Sequence, residues 1–237
     1  MQNAEPISPL IPAATVILIR DKPGGVETLM LRRNRALKAF AGAWVFPGGR
    51  VDPSDAPGAP ELDRAKAAAI REAHEETGLT LLPDNLTPVS LWTPPVQERR
   101  RFSTWFFIAK APDSPVKIDD GEIKEFEWLC PREIVSSTPN PDRIVFPPTF
   151  ISLHKLMTSQ SADMAYENIS NHEPEFFETQ FNKTQTDPTL LWQGDSAYNS
   201  GNLNTPGPRR RLIMGPKNGP ILPHKRPVHQ TRYEPQL

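Results

Sequence analysis

A single cysteine, Cys130, stands in a chain of 237 residues, so an internal disulfide and a cysteine-rich zinc site are both excluded. The lone thiol suits a reducing compartment, and its apolar neighbours predict a buried strand position. No segment approaches the ~18 apolar residues that a membrane helix needs; the stretch from Ala13 to Ile19 has only strand length. Charge of one sign is also missing. With 27 basic and 28 acidic residues the net charge is -1, so the whole molecule is not built to coat nucleic acid or an acidic membrane. The N-terminus has no basic start leading into an apolar run, and the C-terminus reads "EPQL" rather than a Ser-Lys-Leu address. A cytoplasmic, soluble protein is the expectation. Three motifs are absent as well: G-x-x-x-x-G-K-[ST], G-x-G-x-x-G after the first strand, and G-x-S-x-G. That removes a P-loop, a dinucleotide fold and a serine hydrolase.

What is present begins with 28 prolines, which predict many loops and short elements. "AATVILIRD" (13 to 21) reads as a buried strand and "VETLMLRRN" (26 to 34) as its hairpin partner across "KPGG". "GAWVF" (42 to 46) is a short strand ended by Pro47-Gly48-Gly49, and the Ala-rich pattern from Glu61 to Thr77 is helical, with Gly78 as its stop. Further strands are expected in "VSLWTPP", at 101 to 112 and at 122 to 131, then short helices in "PREIVSS" and "FPPTFISLHKLMTS". These elements close a domain over residues 10 to 158. The extension from 159 to 237 differs in kind: 159 to 187 hold six acids and one Lys, whereas 207 to 237 hold seven Lys or Arg and one acid. Its apolar pieces, "TLLWQGDSAY" and "RRRLIMG", predict a packed hairpin followed by a loose tail, and it could also serve as a homodimer element.

The helix carries an apparent flaw. In "REAHEETGL" (71 to 79), Glu72 lies three and four residues from Glu75 and Glu76, so three carboxylates share one face. Like charges at that spacing cost roughly 0.2 to 0.5 kcal/mol per pair, and anions near a helix C-terminus oppose its dipole. Arg71 can neutralise one of them. Mg²⁺ or Mn²⁺ can compensate for all three, since a hard cation takes carboxylate oxygens and bridges to substrate phosphates. A solvated acidic face is the plain alternative, but "FPGG" precedes the helix and a Gly-Gly backbone lets a ligand approach closely.

"GGRVDPSD" together with "REAHEETGL" resembles the Nudix box, G-x5-E-x7-R-E-U-x-E-E-x-G-U with U apolar. Gly49 is its first glycine, and Arg71, Glu72, Ala73, Glu75, Glu76, Gly78 and Leu79 match its second half. The first acid falls on Asp55, with Glu61 as an alternative, and the span from Asp55 to Arg71 is eight residues longer than the pattern, which predicts an enlarged loop. The interrupted box, with "LWTPP", "RRFSTWFFIA" and "FPPTFISLHKL", is similar to a bacterial and peroxisomal Nudix subgroup that includes a coenzyme A diphosphatase.

The resemblance implies an α/β fold, an α-β-α sandwich with a mixed central sheet, followed here by the Pro-rich extension. It also implies hydrolysis of the pyrophosphate in a nucleoside diphosphate linked to another moiety, with coenzyme A or an acyl-coenzyme A as candidate substrates. Glu75 and Glu76 are then the principal metal ligands, Glu72 a further ligand or the base, and the Gly48 or Gly49 carbonyl completes the shell. Arg71 orients the glutamates. Glu122 and Glu125 are alternative bases, and Arg99, Arg100 and Arg101 are candidates for gripping phosphates. Trp44, Trp92 or Phe102 can stack on a base, although aromatic strand residues are commonly core. His74 is a helix surface residue. The rival function is a Nudix-like module that binds a small nucleotide as a sensor without cleaving it.

Overall fold

The computed structural model describes residues 7–37, 40–118, 121–182 and 188–214, together with the backbone of 232–234. In order, the elements are β1 (Leu10–Lys22), β2 (Gly25–Arg33), β3 (Trp44–Val45), β4 (Gly48–Arg50), α1 (Glu61–Thr77), β5 (Thr87–Thr93), β6 (Arg101–Lys110), β7 (Ile123–Leu129), α2 (Pro131–Ser137), α3 (Pro147–Leu156), α4 (Ala162–Ser170), β8 (Glu175–Glu178), β9 (Gln180–Asn182), β10 (Thr189–Leu191), β11 (Arg211–Ile213) and β12 (Arg232–Glu234). The main sheet runs β3-β2-β1-β6-β5-β8, with β4 on β1 and β7 on β2. β1–β6 and β5–β8 are parallel and the other pairs antiparallel, so the sheet is mixed as expected.

The middle of β1 is continuously apolar because both of its faces are covered. Ala14, Val16 and Leu18 face the alanines of α1, whereas Ile17 and Ile19 face a cluster that includes Phe150, Leu153 and Ala165 from α3 and α4. This is the α-β-α sandwich. One irregularity positions the site. β1 pairs with β4 through Ala13, Ala14 and Thr15, but with β2 only from Ile19 to Lys22, and the sheet therefore splits beside β1 at the end where β4 turns toward α1.

Two expectations change. Cys130 is half-buried and follows the last residue of β7, leading into α2, so it is not a buried strand residue. The core also continues past residue 158. β8 adds to the sheet beside β5, Phe177 stacks on Trp92 with centroids 3.8 Å apart, and Trp192 meets both rings edge-on. "TLLW" and "RRRLI" do pair as antiparallel β10 and β11, but within a second, four-stranded sheet with β9 and β12. The expected loose tail falls on residues 215 to 231, outside the described residues.

The second sheet is held by a buried ion pair. Arg211 donates to Asp195 through Nε at 2.8 Å and Nη2 at 2.6 Å, and the Asp195 carboxylate also accepts from the Ala197 and Arg210 N–H groups. Burial pushes the Asp195 carboxyl up, but the Arg211 guanidinium and the two amides outweigh it and hold the group below its usual range. Removing one partner of such a pair leaves an uncompensated buried charge, at a cost of about 3–5 kcal/mol. Asp195→Ala is therefore expected to lower the urea midpoint sharply; an unchanged midpoint would show that the pair is not part of the cooperative fold.

Candidate active site

Helix α1 is assembled from small residues for a packing reason. Ala65, Ala68, Ala69 and Ala73 are buried against the sheet, so the helix axis lies close to β1 and brings its glutamates to the edge of the split. Gly78 ends it in the left-handed conformation at φ 70°, and its N–H closes on the His74 carbonyl. His74 itself is exposed.

Asp55 occupies the first acidic position. It is buried and binds the Arg71 guanidinium through both oxygens, at 2.9 Å to Nε and 3.0 Å to Nη2, while Glu61 instead accepts from Trp105 Nε1. Burial raises the Asp55 carboxyl, yet Arg71 and the Asp52 N–H more than reverse it and keep the group ionised. The stretch between Asp55 and Arg71 is divided between a loop, residues 56 to 60, and the first turns of α1. Residues 61 to 70 precede Arg71 on α1, about 15 Å of axis at 1.5 Å per residue. The loop before them doubles back along that length, held by Arg64 on the Asp52 and Asp55 carbonyls.

Arg71 is the hub. Besides Asp55 it donates to Glu72 at 2.9 Å, to Glu75 at 3.3 Å and to the Arg50 carbonyl at 3.0 Å, and these carboxylates hold its own pKa above the usual arginine range. It thereby ties Asp55, Glu72, Glu75 and the Arg50 carbonyl to one guanidinium.

The three glutamates do not stand alike. Glu76 is buried, and its Oε2 accepts from the Gly48 N–H at 2.9 Å. Burial pushes its carboxyl up to about 8, opposed by that amide and by Arg33 and reinforced by Glu72 and Glu122. Glu72 is also raised, chiefly by burial, with Arg71 opposing and Glu75 and Glu122 adding. It lies against Gly49 so closely that a Cβ there would overlap its carboxyl group. Glu75 is turned outward, its side chain 58% exposed, toward Arg71. Among the described residues no three acidic, His or Cys side chains are gathered as a ready cation cage. Glu72 and Glu76 do converge on the Gly48-Gly49 backbone, and both are desolvated carboxylates that a nearby cation would stabilise in their charged form.

Arg33, which the sequence reading did not single out, stands between two acids. It donates from Nη2 to Glu122 at 3.0 Å and lies 3.7 Å from Glu76, and its buried Nε has no hydrogen-bond partner. Glu122 thus joins the group and acts on both Glu72 and Glu76, whereas Glu125 pairs with Arg32 at 2.8 Å. The only signal in the sequence was the second arginine of "RRN", at the end of the second strand.

The arginine turn is divided. Arg101 is spent on carbonyls, donating to Ser8 and Pro94, while Arg99 and Arg100 are exposed beside it. Trp44 and Trp92 are buried in the core, at 2% and 4% exposure, and offer no face to a ligand; of the three stacking candidates only Phe102 is accessible.

The NUDIX domain family matches residues 9–149, well over half of the chain. The chain belongs to the Nudix family. The putative nudix hydrolase 7 of Caenorhabditis elegans is 26% identical over 182 residues, covering 60% of each protein. The m7GpppN-mRNA hydrolase NUDT17 of Danio rerio is 29% identical over 119 residues, covering 44% of this chain and 37% of the relative. This Nudix chain thus spans less than two thirds of the length of either relative. A crystal structure of a NUDIX hydrolase from Alicyclobacillus acidocaldarius superimposes with a TM-score of 0.62 at 21% identity, over 71% of this chain and all of that one, and shows the shared Nudix fold. No described helix is long and apolar enough to cross a membrane.

Proposed function

We propose that this Nudix chain is a divalent-metal-dependent hydrolase of the pyrophosphate bond in a nucleoside diphosphate linked to another moiety. The observation that carries this reading is the pairing of two desolvated carboxyls, Glu72 and Glu76, against the Gly48-Gly49 backbone, with Arg71 and Asp55 bracing one side. Carboxylate and carbonyl oxygens gathered in this way fit Mg²⁺ or Mn²⁺. Such an ion would be held by Glu76 and Glu72, with Glu75 and the carbonyl of Gly48 or Gly49 as further oxygen ligands. When bound, such a cation neutralises charge on the phosphates and lowers the pKa of a bound water.

The remaining work falls to the chain. Arg33 is placed to shift from Glu76 to a phosphate oxygen once the acids are engaged, with Arg99 and Arg100 as further phosphate contacts. A proton acceptor for the attacking water is sought at Glu72 or Glu122, and the pairing of Glu125 with Arg32 disfavours that third candidate. A sensor that binds a small nucleotide without cleaving it needs no such set of acids, and all three box glutamates are present here.

Coenzyme A and acyl-coenzyme A stand first among substrates on the subgroup resemblance. The reading is tested by a panel containing them with NADH, ADP-ribose and diadenosine polyphosphates, at millimolar Mg²⁺ or Mn²⁺, with products separated by chromatography. At least one is expected to turn over and to stop on addition of EDTA. Tight binding with no turnover of any of them would establish the sensor instead.

A further inference from the structure

We propose that Phe102, flanked by Phe40 and Phe146, is the surface on which the base of the nucleotide stacks, and that Arg50 spans the distance from it to the phosphates; this rests on the nucleotide reading of the glutamate site. Phe40 is 43% exposed, although its side chain would gain by burial. Its backbone sits at φ 53°, a conformation that a bulky side chain adopts only under constraint. The turn that imposes it is closed by the Ala43 N–H on the Phe40 carbonyl at 3.0 Å. The ring then meets Phe146 edge-on with centroids 4.9 Å apart and lies 6.2 Å from Phe102. Three aromatic rings from three separate segments converge at a partly open surface.

Arg50 connects this surface to the site. Its carbonyl accepts from Arg71, the residue that holds Glu72 and Glu75, while its guanidinium lies over the Phe102 ring at 5.6 Å from the centroid. One residue therefore touches the carboxylate assembly with its backbone and the aromatic surface with its side chain. A nucleotide has the same layout, anionic at one end and a planar π-system at the other, about one side chain apart. A base laid on Phe102 takes the place of the guanidinium, which is then free to pair with phosphate. Every base has a π-face, so the surface selects a nucleotide half of the substrate rather than one particular base.

The test measures binding by calorimetry in metal-free buffer, which needs no turnover. The wild type is titrated with the four nucleoside monophosphates and with ribose 5-phosphate. At least one monophosphate is expected to bind about 5- to 100-fold tighter than ribose 5-phosphate, the range of one base-aromatic stack. Phe102→Leu, which keeps apolar volume, and Phe40→Ala, at an exposed position, are each expected to shrink that ratio, and double replacement to abolish it. In any substrate found by the panel, the same variants raise KM with kcat within a few-fold. Equal binding of ribose 5-phosphate and all four monophosphates by the wild type overturns the proposal, as does an unchanged ratio in both variants. Failure of the hydrolase reading is separate, because it appears as absence of turnover while the binding ratio persists.

Discussion

Glu76→Gln is expected to lower kcat by about 10² to 10³, the scale of losing several kcal/mol of metal-centred charge stabilisation, while the metal-free protein becomes no less stable. The two halves of that result share one cause. Glu76 is buried, and burial holds its carboxyl at about 8, far above its ordinary 4.5. Ionising it in the absence of a cation therefore opposes folding. Between those two values the folded state binds more protons than the unfolded one, so the stability of the metal-free wild type falls as pH rises, by at most about 1.4 kcal/mol per pH unit from this group. The contribution is whole at low pH and is lost as pH climbs through about 8. Glutamine keeps the Gly48 N–H bond and cannot ionise, so the variant lacks this slope. Melting curves from pH 5 to 9 in EDTA, alongside turnover at saturating Mg²⁺, measure both. A variant with near wild-type kcat would remove Glu76 from the ligand set.

The adjacent glycines are expected to separate fold from function. Gly49→Ala places a methyl group into the Glu72 carboxyl, which is the far end of a flexible side chain and can move. The protein should fold with little loss, but Glu72 is driven off the Gly48-Gly49 backbone and activity drops about as far as in Glu76→Gln. Gly48→Ala meets the Ala14 carbonyl and the Thr15 backbone of β1 instead. Backbone in the centre of the sheet cannot yield, and Gly48 N–H also holds Glu76, so this variant loses stability first. Comparing urea midpoints with kcat for the pair decides the matter. Equal stability of the two variants would mean that β4 does not pack on β1 as described.

Much of the site was legible as spacing. Residues three and four apart on a helix share a face whatever surrounds them, so the grouping of Glu72, Glu75 and Glu76 and the pairing of Arg71 with Glu75 followed from "REAHEETGL" alone. The helix from Glu61 to Thr77, its glycine stop and the first hairpin were equally readable, because periodicity and turn chemistry are local. Which residue answers the first acid of the box was not, since Asp55 and Glu61 both lie before Arg71 and spacing does not say which one reaches it. Only the tertiary fold shows Asp55 on Arg71 and Glu61 on Trp105. In the extension "TLLW" has strand composition, but composition does not say that Phe177 and Trp192 will close on Trp92.

By itself, the sequence determined the chemical inventory and its local geometry: three carboxylates and an arginine on one helical face, two glycines before them, and the Nudix pattern that joins the two. The tertiary structure decided the electrostatics. Burial differs among three chemically identical glutamates, so Glu76 is pushed far up, Glu72 less so, and Glu75 stays with Arg71 at the surface. It also brought Arg33, at the end of β2, and Glu122, just before β7, to the carboxylates, and Phe40, Phe102 and Phe146 together beside Arg50. Desolvation and through-space contact depend on which chain segments come to lie together, and local sequence does not encode that.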